Sequence, residues 1–215
     1  MTEREIIEAT IALASTLPAP EYPRVETRGD LVRLIARISA GENCLRQLGG
    51  DESAEFSELC LEFNPDRITA AGRMRLGEDF MFTLGEDLKT PIKKYLQSLL
   101  LTARFVQRFP DVERFRKNYR ARATSERAII EMLEGFRQES NIFGMHLSKA
   151  ADIMLLSHTL SIPRYAPEVK AFLQTQLNLA EENAPIYFRL MRICERTGLD
   201  PLHFSDAIYK LATKN

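Results

Sequence analysis

Between Arg108 and Arg122 the chain carries Arg108, Arg114, Arg116, Lys117, Arg120 and Arg122 against only Asp111 and Glu113. Guanidinium groups hold phosphates and carboxylates through paired hydrogen bonds, so such a cluster has the chemistry of anion recognition. Val112, Phe115 and Tyr119 recur at helical spacing within it. The spacing predicts a short helix after Pro110, anchored by those three apolar side chains, with the cations around the rest of its circumference. The expected partner is an acidic face of another protein. A nucleic acid or other polyanion is the weaker alternative, because a net charge of −1 and a pI of 6.4 are not those of a nucleic-acid binder. The competing reading is a solvated face neutralised by the chain's own acids. Arg67, Arg73 and Arg75 form a second, sparser set of cations.

Other chemistry-bearing residues assemble less well. No two of His146, His158 and His203 have the four-residue spacing that puts two metal ligands on one helix face. His158 falls on a stripe with Leu147, Ala151 and Met154, which predicts an imidazole turned into a helical bundle. It is therefore the weak candidate for a sensor that holds a small ligand or cofactor between helices. Cys44, Cys60 and Cys194 show no metal-ligand spacing and are expected as free thiols of a reducing compartment, the cytoplasm. Neither a strand–turn–helix serine motif nor a glycine-rich phosphate loop is present. No catalytic residue, metal site or cofactor is assigned, and the expected role is non-catalytic: a regulatory, adaptor or chaperone-like protein.

The elements that must position these residues follow from periodicity and punctuation. At 215 residues, 45% hydrophobic and 27% charged, the chain has the composition of a folded globular protein. The longest apolar runs are far too short to cross a bilayer, and the start lacks the basic and apolar regions of a secretory leader. Charge is uneven: residues 1–63 carry a net −6 and residues 91–127 a net +7. Thr2-x-x-Glu5 predicts a capped first helix ending near Leu17, and Leu31, Leu34, Ile35 and Ile38 a second over 30–40. From Ile68 to Leu76 every even position is small or apolar, and Phe80, Phe82 and Leu84 continue the rhythm. That alternation predicts strands, and with Leu59, Leu61 and Phe63 a three-stranded antiparallel meander over about 57–84. Beyond Gly85 the punctuation is helical to the end, with starts at Thr90-Pro91, Pro110-Asp111, Thr124-Ser125, Pro167, Pro185 and Asp200-Pro201. The expected fold is predominantly α within an α+β class: an α+β part over 1–85, then an all-α bundle over 86–215. The helix at 145–160 is apolar on nearly all sides, which raises a homo-oligomer interface as an alternative to central burial.

Overall fold

Helix starts are set by side chains that accept the backbone N–H groups left over in a first turn. The Thr2 hydroxyl accepts from the Glu5 amide at 3.3 Å while the Thr2 amide donates to the Glu5 carboxylate at 2.7 Å. Thr27 and Asp30 repeat this box at 3.1 and 2.8 Å. In the computed structural model, which describes residues 1–50, 53–179 and 182–214, these caps open α1 (Glu3–Ala14) and α2 (Arg28–Ala40). There follow α3 (Glu42–Gln47), α4 (Ala54–Leu59), α5 (Pro65–Leu84), α6 (Lys89–Val106), α7 (Val112–Arg120) and α8 (Glu126–Ser140). The chain continues through α9 (Leu147–Leu156), α10 (Pro167–Leu177), α11 (Asn183–Thr197) and α12 (Pro201–Lys214). No helix among the described residues is long and apolar enough to cross a membrane.

The described residues contain no strand, so the protein is all-helical rather than α+β and the meander over 57–84 is absent. Its segment forms α4, a 3-10 turn over Leu61–Phe63, and α5. The physical reason lies in the spacing itself. Ile68, Leu76 and Phe80 are buried, and the four-residue step from Leu76 to Phe80, beyond the break at Gly72, suits a helix face as well as one side of a strand. In a strand Met74 and Phe82 would be buried with them; instead they are 81% and 93% exposed. Local preference agrees with the helix. Asn64 Oδ1 accepts from the Asp66 and Arg67 amides at 3.0 and 3.2 Å, Pro65 fills the first turn, and Ala, Met, Arg and Leu recur through the rest of the helix. Gly72 interrupts α5 with φ 71° and ψ 178°, a conformation that L side chains avoid. The start expected at Thr90 also shifts, since α6 begins at Lys89 and its cap position is Leu88.

Two compact units can be recognised. The first comprises Met1–Pro23, Arg120–Glu134 and Leu147–Asn215. Within it α1 packs on α11 and α12, and α10 on the same pair. Glu3 bridges Arg189, at 2.8 Å, and Arg196, so this carboxylate ties α1 to α11. Leu147, Ala150, Ala151, Ile153, Met154 and Leu155 of α9 are buried. The second unit comprises Arg24–Tyr119 and Gly135–His146. Here α6 is central, with α2, α3 and α5 packed along it.

Candidate functional site

Val112, Phe115 and Tyr119 of α7 are buried as their spacing predicts. Phe115 and Tyr119 enter an aromatic cluster with Phe105, Phe109 and Phe136. Phe115 and Tyr119 have ring centroids 4.9 Å apart, and Phe105 meets Phe136 edge to face at 5.4 Å. Burying each such side chain stabilises the fold by about 1.5–3 kcal/mol. The Tyr119 hydroxyl donates to the Glu139 carboxylate at 3.2 Å, which fixes the rotation of α7 about its axis. The cations of the helix are thereby held in defined directions.

They divide into two groups. Arg108 donates to the Glu139 carbonyl at 2.9 Å and lies 5.6 Å from the Phe105 ring centre. Arg116, only 18% exposed along its side chain, donates to the Val25 carbonyl at 2.7 Å and stands 3.6 Å from Glu113. Arg120, whose unit is the first, donates to the Thr159 and His158 carbonyls at 3.0 and 2.6 Å. Those carbonyls lie just past the C-terminus of α9, where a cation also meets the negative end of the helix dipole. These guanidinium groups therefore clip backbone to backbone, and Arg122 is half-buried. Arg114 and Lys117 form the other group: both are exposed, one turn apart on α7, and no described acid pairs with either. Of the six candidate residues, these two present their charge outward.

His158 departs from expectation. It is exposed, with φ 55°, just beyond α9, and its ring lies 4.7 Å from that of Tyr22. The imidazole thus stacks at a surface and does not enter the bundle. Tyr22 donates to both Asp200 carboxylate oxygens at 2.9 and 3.0 Å, and burial together with that acid pushes its phenol up to about 12. His203 Nε2 lies 3.0 Å from the Ala14 carbonyl, a structural contact. The three cysteines are free and buried, and burial pushes the Cys194 thiol up to about 12. Among the described residues no cluster of His, Cys, Asp and Glu is arranged to hold a metal ion. Arg67 is paired with Glu62 at 2.6 Å, and on a helix it no longer shares one side with Arg73 and Arg75. The sequence also sets two acids side by side at Asp51-Glu52 and at Glu181-Glu182, and these lie wholly or partly outside the described residues.

A feature that periodicity alone conceals lies between α5 and α6. A groove of about 400 Å³ has Met74, Gly77, Met81, Ile92 and Leu96 for its apolar walls and floor. Arg73, Lys89 and Lys93 line its rim, with Glu78 the one acid. Once α5 is read as a helix, Met74, Gly77, Glu78 and Met81 fall at i, i+3, i+4 and i+7, a single face turned away from buried Leu76 and Phe80. The glycine between two methionines is the signal in the sequence that could have revealed it. Compared with known proteins, the chain matches no family model, no curated protein and no solved structure.

Proposed function

We propose that the protein is a non-catalytic interaction module of the cytoplasm, regulatory or adaptor in role, that docks an acidic segment of a partner protein against α7. One observation carries this reading: Arg114 and Lys117 stand exposed, with no acidic partner among the described residues, on a helix whose orientation is locked by an aromatic cluster. Locking a cation's backbone before binding reduces the ordering cost that association must overcome. The small number of outward charges favours a carboxylate-bearing protein over a nucleic acid, since polyphosphate affinity grows with each phosphate neutralised. Free, buried thiols suit a reducing compartment.

Fluorescence anisotropy with a labelled glutamate-rich peptide tests the reading, with single-stranded RNA of matched length as the competing probe. The expected result is peptide binding that weakens as salt rises and disappears in an Arg114→Glu/Lys117→Glu variant of unchanged helicity. Equal peptide binding by that variant, or preference for RNA, overturns it.

A further inference from the structure

The α5–α6 groove asks for an occupant on three grounds. The first is exposure: Met74, which lines the groove, is 81% exposed, and Phe82, about two turns further along α5 and outside that lining, is 93% exposed. Contiguous exposed apolar surface on a folded protein marks an interaction site, and flexible methionines suit surfaces that must adapt to a partner. The second is Gly77. A glycine inside a helix weakens it, and here packing does not demand one: a Cβ at this position would meet nothing closer than Leu96 Cδ1 at 3.8 Å. What the missing side chain does is leave the groove floor open. The third is charge, because Arg73, Lys89 and Lys93 surround the groove against the single acid Glu78.

We infer that the groove between α5 and α6 binds an amphipathic α-helix of a partner protein, apolar on the face that enters the groove and acidic along its flanks. Size selects a helix over a small amphiphile. A molecule confined to about 400 Å³ would fill the floor yet leave Phe82, which lies outside the lining, uncovered. A helix about 10–12 Å across spans both the floor and the exposed side chains beside it. Its apolar residues at i, i+3, i+4 and i+7 would lie over Gly77 and against Met74, Met81 and Leu96, while glutamates on either flank meet Lys89, Lys93 and Arg73. The inference shares with the α7 reading only the premise that the partner is a protein, and it uses none of the same residues.

The test is fluorescence anisotropy of the intact protein with a labelled peptide of about five helical turns, leucine on one face and glutamate on its flanks. The same helix with lysine flanks and a scrambled sequence of equal composition serve as controls, and phosphatidylserine–phosphatidylcholine vesicles and dodecanoate as competing ligands. The acidic amphipathic peptide is expected to bind and both controls to fail. Met74→Ser and Phe82→Ser, at exposed positions that leave the fold intact, are each expected to weaken binding by roughly tenfold. Gly77→Leu, which fills the floor, is expected to remove it, and Arg114→Glu/Lys117→Glu to leave it unchanged. Binding that persists in both serine variants, equal binding of the lysine-flanked peptide, or uptake of vesicles or dodecanoate in place of the peptide overturns the inference. Loss of glutamate-rich peptide binding in the α7 variant alone bears on the other surface, so the two readings fail separately.

Discussion

Two glycines five residues apart on α5 should respond to alanine in opposite directions. Gly77 lies in regular helix, where alanine is favoured by about 0.8–1.0 kcal/mol per residue. Its added methyl would sit at ordinary contact distance from Leu96 Cδ1, 3.8 Å away, so neither strain nor a clash offsets the gain. Gly77→Ala should therefore stabilise the protein by about 1 kcal/mol, which for a chain of this length raises the melting temperature by about 2–4 °C. Gly72 has φ 71° and ψ 178°, and a Cβ there would meet nothing within 4 Å. The whole cost of Gly72→Ala is thus conformational, about 1–3 kcal/mol of destabilisation. Urea unfolding followed by far-UV circular dichroism measures both variants against the parent. A destabilised Gly77→Ala would mean that packing requires the glycine, and the argument for an open groove floor would fail. A stabilised Gly72→Ala would mean that α5 runs without its break.

Thr102 Oγ1 is a buried hydroxyl with no hydrogen-bond partner among the described residues. Thr102→Val should therefore stabilise the protein by roughly 1 kcal/mol in the same unfolding experiment, and a loss of stability would reveal a partner for that oxygen. Burial raises the Cys44 and Cys194 thiols, the latter to about 12, so native thiols should react slowly with Ellman's reagent near pH 8 and rapidly in denaturant. A thiol that reacts at once in the native protein contradicts the buried placement. The Gln107 amide at 2.9 Å, followed by Arg28, holds the Asp66 carboxyl below its ordinary value of 3.8. Because the folded-state value is the lower one, this contribution is present above pH 3.8 and is lost as pH falls through the depressed value. Gln107→Ala should lower the urea midpoint at neutral pH, and its gap from the parent should narrow on acidification. A gap that stays constant with pH removes Asp66 as the cause.

Much of the helical frame is legible in the sequence because several of its boundaries are chemical. Thr2, Thr27 and Asn64 accept first-turn amides, and prolines stand in the first turns of α5, α6, α10, α11 and α12. The anchoring face of α7 is legible for a related reason: residues 112, 115 and 119 lie on one side of any helix. The exception is α5, where Leu76 and Phe80 occupy even positions that two periods explain equally well. Exposure of Met74 and Phe82 distinguishes them, and exposure is a tertiary property that no local pattern carries. The same limit applies to the basic cluster. Its composition points to anion binding, but the carbonyls of Val25, Glu139, His158 and Thr159 that engage Arg116, Arg108 and Arg120 are brought there by the fold. Backbone acceptors leave no mark in the sequence. Composition therefore cannot separate the arginines that clip the structure together from Arg114 and Lys117.

Nitrogen-15 NMR of the full chain, titrated with the glutamate-flanked amphipathic peptide, tests the claim of partner recognition most directly. Amide shifts confined to α5 and α6 around the groove are the predicted result, whereas a glutamate-rich peptide with no apolar face should give salt-sensitive shifts at Arg114 and Lys117 instead. A spectrum unmoved by the peptide, or shifts centred on α9 to α12, would contradict it.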